Sequence, residues 1–297
     1  MIGPIAFVGL GRMGLPMSQN LARAGFAVRA WNRSDRAEAA PPGTDYLLVP
    51  SVEAAVAPAP IVVVMLPDLP DVREVFGTHD GAGGALSALG PGAIVVVMST
   101  VSPVGIQAWA HELAARSVRV VDAPVSGGDT GARDGSLSIM VGGADEDVAL
   151  VLPVLRAMGT RVSHFGPIGS GQLAKACNQI VVAATMTALG EAVTLGARGG
   201  LDVEQLLDAL AGGLAGSRVL DVKRSMITGH SFAPGGLATS QLKDLGFALD
   251  AGRSLGVALP ATALVDQLYA VMCATGFGGD DHSGIVQVIE ALSRSDS

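Results

Sequence analysis

The chain has 297 residues, of which 49% are hydrophobic and 15% charged, enough apolar material for two domains with substantial cores and too much for a disordered polypeptide. A formal net charge of −8 and an isoelectric point near 5.0 set the overall field against nucleic acid and anionic membranes, leaving a small molecule as the expected partner. Cys177 and Cys273 stand in neither a CxxC nor a Cys/His metal spacing, so no metal is expected and a reducing cytoplasm fits.

The N-terminus passes directly into the apolar run Ile5–Val8 without a basic n-region, so no cleaved signal peptide is expected. Behind that run comes Gly9-Leu10-Gly11-Arg12-Met13-Gly14, followed by a helix-like stretch. Strand, glycine turn and helix in this order read as a dinucleotide site. Gly9 permits the tight turn, Gly11 lets backbone approach a pyrophosphate, and Gly14 allows close helix–strand packing.

The second strand, Ala27–Trp31, runs into Asn32-Arg33-Ser34, where an NAD site usually presents a carboxylate to the ribose 2′-hydroxyl. Asn32 does not repel a 2′-phosphate, Arg33 neutralises one and Ser34 donates to one, which favours NADP with NAD still admitted. Ser34 or Asp35 also suits a simple helix cap.

Further strands are expected at Ile61–Leu66, Ala93–Val97, Val118–Asp122, Leu137–Val141 and Arg161–Phe165. Alternating with helices, they predict an α/β, doubly wound, mostly parallel sheet of Rossmann type over residues 1–166. The uncharged stretch Gly81–Ala110 is interrupted by Pro91 and Pro103, and no membrane span is expected there.

Asp122-Ala123-Pro124-Val125-Ser126-Gly127-Gly128 closes one strand. Ser126, Gly127 and Gly128 offer backbone N–H groups clear of side chains, suited to a carboxylate, or they form a plain turn. After Gly166-Pro167 the strand signals stop, and residues 167–297 read as an all-helical domain of about four or five helices entered through a long helix from about Gly171 to Arg198. Lys175 lies in an uncharged part of that helix, with Asn178 and Gln179 on the same face. It suits either a solvated surface or a cleft where desolvation eases proton donation. Cys177 is expected to pack as a small apolar residue. A mean hydropathy of +0.47 and an Ala/Gly-rich helical half suggest a homo-oligomer.

Gly9–Gly14, Asp122–Gly128, Gly171–Gln179 and Lys243-Asp244-Leu245 occur in the order and spacing that resemble the β-hydroxyacid dehydrogenases, the group containing 3-hydroxyisobutyrate dehydrogenase. Gly212–Ser217, Val219-Leu220-Asp221, Asn178-Gln179 and Asp281-His282-Ser283 are most similar to the branch that reduces tartronate semialdehyde. The resemblance implies a reductase interconverting a short 3-oxo acid and its 3-hydroxy acid, with Lys175 as general acid/base. It also implies substrate contacts from Ser126, Gly127, Gly128, Asn178 and Gln179, and a dimer or tetramer. Leu66 and Pro67 join the expected cofactor contacts, to which the resemblance adds Thr100 and Lys243. Val97-Met98 and Pro234-Gly235-Gly236 depart from the family, which commonly has an acidic residue at the first place and an aromatic one after Pro-Gly at the second. Methylmalonate or succinic semialdehyde, a cyclic imine, and a non-enzymatic scaffold are the alternatives.

Overall fold

The computed structural model describes residues 3–34, 40–77 and 84–293; Asp35, the alternative cap, lies outside them. Two compact units divide at Lys175/Ala176. In the first, the elements run β1 (Ile5–Val8), α1 (Gly14–Arg23), β2 (Val28–Trp31), β3 (Tyr46–Leu48), α2 (Val52–Val56), β4 (Ile61–Val64), α3 (Leu69–Phe76), α4 (Ala85–Ala88), β5 (Ile94–Val97), α5 (Pro103–Ala114), β6 (Arg119–Asp122), β7 (Val125–Ser126), α6 (Gly128–Asp134), β8 (Leu137–Gly142), α7 (Asp145–Arg156) and β9 (Gly159–Gly166). The first turns of α8 (Ser170–Arg198) complete it.

The sheet order is β3-β2-β1-β4-β5-β6-β8, with β7 beside β8 and β9 on the other side of β8. Strands β1 to β6 are mutually parallel, β8 turns antiparallel to β6 and β7, and β9 is parallel to β8. The central strands are buried along their whole length because helices cover both faces, and so they read as unbroken apolar runs. Alternate residues divide between two cores: Ile5, Phe7, Ile61, Val63, Ile94 and Val96 pack towards α1 and α7. Ala6, Val8, Val62, Val64, Val95 and Val97 pack towards α2, α3 and α5. From Gly84 onward, the uncharged stretch forms α4, β5 and α5.

Capping explains several helix starts. The Asp68 carboxylate accepts from Leu69 N–H at 2.6 Å ahead of α3, and Ser102 Oγ accepts from Gly105 N–H at 3.1 Å in α5. Helix α8 ends where Gly200 takes φ +80°: Leu201 N–H donates to Gly196 O and Gly200 N–H to Ala197 O, which satisfies the last carbonyls.

The second unit contains the rest of α8, then α9 (Val203–Ala211), α10 (Arg218–Thr228), α11 (Ala238–Leu255), α12 (Pro260–Met272) and α13 (Ile285–Leu292). By length and composition alone α8 is able to cross a membrane. In this fold its Ala183, Met186, Leu189 and Val193 are buried in the apolar clusters of the helical unit.

Candidate active site

The ends of β1, β2, β4 and β5 lie along the C-terminal edge of the parallel strands, and the strand order reverses between β1 and β4. Crevices at such a reversal are where open α/β sheets take their ligands. The three glycines of the turn differ in what surrounds them. Gly9 has φ +97°, and a Cβ there would collide with the Met65 carbonyl. One on Gly14 would collide with the Gly9 carbonyl, whereas one on Gly11 meets nothing within 4 Å. Turn, close packing and open approach therefore fall on the residues a pyrophosphate cradle needs. Met13 caps α1 without any side-chain hydrogen bond, so no capping side chain stands between an anion and the helix N-terminus. A hollow of about 360 Å³ borders Leu10, Gly11 and Arg12, with Arg23 and Arg133 on its walls. The open approach at Gly11 and the arginines on these walls suit the pyrophosphate of a dinucleotide.

Asn32 ties β2 to this turn. Its Oδ1 accepts from Leu10 N–H at 2.8 Å, and its Nδ2 donates to Ser34 O and Ser34 Oγ, each at 2.9 Å. The Arg33 side chain is 81% exposed and reaches Glu74 only at 4.0 Å. Leu66 N–H donates to Ser99 Oγ at 2.8 Å, so the loop carrying Leu66 and Pro67 is joined to the one carrying Thr100.

Ser126 pairs with Ser138 across β7 and β8. Gly127 and Gly128 are exposed with φ +130° and +62°, conformations that favour glycine. Arg133 donates to Asp129 Oδ2 at 2.9 Å, offsetting a negative charge beside this turn.

Asp122, fully buried at the end of β6, accepts from Gly169 N–H and Gln172 N–H, both at 2.7 Å. Burial pushes its carboxyl up to about 6, against the pull of those N–H donors. Gln172 was not singled out from the sequence, yet its side chain is wholly engaged. Nε2 donates to Ser99 O at 2.8 Å and Oε1 accepts from Val101 N–H at 3.0 Å. Lys175, one turn further along α8, is only 6% exposed, so the solvated-surface reading fails. Cys177 is exposed, contrary to the expectation of packing, because it falls on the outer side of α8 with Leu173 and Val181.

Asn178, Gln179 and Lys243 belong to the helical unit. Asn178 Nδ2 donates to Gln179 Oε1 at 2.9 Å, and Gln179 Nε2 donates to Asp244 Oδ2 at 2.8 Å and to Gln241 Oε1 at 3.3 Å. Gln179 is thus turned into a buried polar network and holds Asn178. Lys243 lies 3.7 Å from Asp244 Oδ1 and 5.2 Å over the Phe247 ring. His282 borders Gly236, where the family's aromatic residue is missing: a Cβ there would lie 3.1 Å from Nε2. Its Nδ1 is 3.1 Å from Gln241 Oε1. Asp281, beside it, accepts from Lys223 at 2.7 Å and Ser283 Oγ at 2.6 Å. Burial works against its charge, but His282, Lys223 and Ser283 prevail and leave its carboxyl below the ordinary value.

A doubly wound sheet with a glycine cradle, joined to a helical unit through a helix bearing a buried lysine, defines a dinucleotide-dependent oxidoreductase. Comparison with known proteins agrees. Residues 4–166 match the model of the NAD binding domain of 6-phosphogluconate dehydrogenase. Residues 169–289 match that of the NAD-binding part of NADP-dependent 3-hydroxyisobutyrate dehydrogenase. The chain is 36% identical to 2-hydroxy-3-oxopropionate reductase of Escherichia coli, over 98% of both chains. It is 32% identical to the NAD-dependent L-serine dehydrogenase of Pseudomonas aeruginosa, over 96% of this chain and 97% of that one. The structure of 3-hydroxyisobutyrate dehydrogenase from Mycobacterium tuberculosis with L-serine superposes with a TM-score of 0.85 at 32% identity, covering 97% and 99% of the two chains. The protein belongs to the β-hydroxyacid dehydrogenase family and is an NAD(P)-dependent oxidoreductase acting on hydroxyl groups.

Proposed function

We propose that the protein is an NADP-preferring reductase that converts a short 3-oxo acid such as tartronate semialdehyde to its 3-hydroxy acid, reversibly. The observation that carries this reading is the burial of Lys175 on an otherwise uncharged helical stretch. A bound nicotinamide dinucleotide supplies or takes up the hydride. Lys175 donates a proton to the carbonyl oxygen as its charge develops and recovers one in the oxidative direction. Ser126, Gly127 and Gly128 hold the substrate carboxylate, Asn178 orients lysine and substrate, and Gln179 steadies Asn178 through the hydrogen bond between them. Arg33 and Ser34 receive the 2′-phosphate.

The identity to 2-hydroxy-3-oxopropionate reductase supports tartronate semialdehyde. The serine-linked relatives make L-serine the second substrate to try, and succinic and methylmalonate semialdehydes follow. A cytoplasmic homo-oligomer completes the reading.

The test is a panel of these oxo and hydroxy acids with both cofactors, run on wild type and Lys175→Ala. Loss of the general acid lowers kcat by roughly 10²–10⁴-fold. NADPH affinity stays nearly unchanged. A variant keeping a third of wild-type kcat, or a cyclic imine outpacing every oxo acid, refutes the assignment.

A further inference from the structure

Three buried groups lie outside the roles assigned so far and contact one another: Asp122, Gln172 and Ser99, each no more than 1% exposed. Space has been cleared around the carboxylate. A Cβ on Gly142 would collide with Asp122 Oδ1, and one on Gly171 would come within 2.8 Å of Oδ2. Those oxygens take the N–H groups of Gly169 and Gln172 at 2.7 Å each, so Gln172 is anchored through its backbone. Its side chain then spends both ends of the amide on the two residues flanking Thr100, the Ser99 carbonyl at 2.8 Å and the Val101 N–H at 3.0 Å. Ser99 Oγ carries the connection on to Leu66 N–H at 2.8 Å.

Burying and ordering a glutamine side chain costs about 1.5–2 kcal/mol in rotamer freedom, and a methionine of similar length would fill the same space. What the amide adds is geometry. It fixes the loops after β4 and β5 and the first turn of α8 into one frame, and Lys175 stands three residues further along that helix on the neighbouring surface.

We propose that Gln172, anchored by Asp122, is a positioning residue that sets the Lys175 turn in register with the Thr100 and Leu66 loops. The proposal rests on the reading of Lys175 as proton donor. Misplacement of a reacting group by about 1 Å costs about 100-fold in rate, so the frame acts on kcat rather than on binding.

The experiment compares Gln172→Met, Gln172→Glu and a control, Val154→Ala on α7, which opens a cavity in the same core without touching the frame. NADPH binding is titrated by fluorescence to count folded sites. Then kcat per site, KM for the fastest oxo acid of the panel and the isotope effect with 4-deuterated NADPH are measured. Gln172→Met is expected to lose about 100-fold in kcat, to bind NADPH within about three-fold of wild type and to show an enlarged isotope effect. Gln172→Glu, which keeps the acceptor for Val101 N–H, is expected to fall between. Val154→Ala loses thermal stability but keeps kcat per site. A folded Gln172→Met with kcat within about three-fold of wild type overturns the proposal. If that variant does not fold, Gln172→Glu decides by the same criterion, and failure of both to fold assigns Gln172 to folding and also overturns it. Turnover that survives Lys175→Ala defeats the underlying reading instead, which keeps the two failures distinct.

Discussion

Asn32 Oδ1 accepts the Leu10 N–H at 2.8 Å while Asn32 Nδ2 donates to Ser34, so one amide braces the glycine turn and aims the neighbouring hydroxyl. A carboxylate at position 32 keeps the first bond and loses the donor role of the second. The edge at residues 32–34 carries no acid and presents the exposed Arg33 cation, which suits the proposed 2′-phosphate.

Arg33→Asp is therefore expected to reverse the cofactor preference. A charge-assisted hydrogen bond is worth about 1.5–3 kcal/mol, and a like charge adds repulsion, so NADPH loses at least ~10-fold relative to NADH. Fluorescence titration checks this; equal affinity of wild type for the two cofactors contradicts it.

The turn proposed to hold the substrate carboxylate is best probed at Gly128. At Gly127, φ is +130° and an added Cβ sits 3.3 Å from Leu137 Cδ2, so a substitution there strains the fold. At Gly128, φ is +62° and a Cβ meets nothing within 4 Å. Gly128→Ala costs about 1–2 kcal/mol of backbone energy and places a methyl where the anion approaches. KM for oxo acids rises several-fold while NADPH affinity holds. An unchanged KM moves the substrate carboxylate elsewhere.

Much of this site was legible in the sequence because glycine turns and apolar runs carry their own local signal. Seven strands showed as apolar segments between breakers. Strands β3 and β7, of three and two residues, are too short to display any alternation and exist through their neighbours. Lys175 stood out by isolation, though only its 6% exposure rejects the solvated alternative. Gln172 stood inside the Gly171–Gln179 motif, but its contacts were not legible for a physical reason: its side-chain partners are backbone atoms 71 and 73 residues away, and a backbone acceptor or donor leaves no residue-type signature. Cys177 misled because composition does not reveal which side of an apolar helix faces outward.

Asp122 makes a pH prediction. Its folded value, about 6, lies above the ordinary 3.8, so the folded state binds the proton more tightly than the unfolded chain. Stability from this group is fully present below pH 3.8 and is lost as pH rises through about 6, on the order of 3 kcal/mol in all. Asp122→Asn removes that dependence and leaves one backbone N–H facing an amide NH₂. Chemical denaturation between pH 4 and 7 is expected to show the wild-type advantage over the variant shrinking as pH rises. An advantage that grows with pH contradicts the assignment.

The outer side of α8 makes a prediction about assembly. Leu173, Val181 and Leu195 are 36%, 64% and 76% exposed and recur near the spacing of a helical seam, with Cys177 between the first two. These side chains, which share their face with the exposed Glu191, suit a second copy of the chain. Light scattering is expected to give a dimer or larger, and Val181→Glu with Leu195→Glu to lower it. A wild-type mass of 29.8 kDa at micromolar concentration refutes the interface.

The donors to Asp122 come from residues 47 and 50 positions later in the chain, beyond the last strand. During synthesis, β6 is complete before either donor has been made, and its terminal carboxylate becomes fully solvent-free only with a partner from the incoming helix. Cutting the gene after Gly166, where the strands stop, would therefore yield a fragment whose carboxylate at the end of β6 lacks both of its N–H donors and stays open to water. A cut placed beyond Gln172 keeps both donors, so a fragment that retains the native hydrogen bonds of this carboxylate carries with it the opening turn of the helix that bears the lysine.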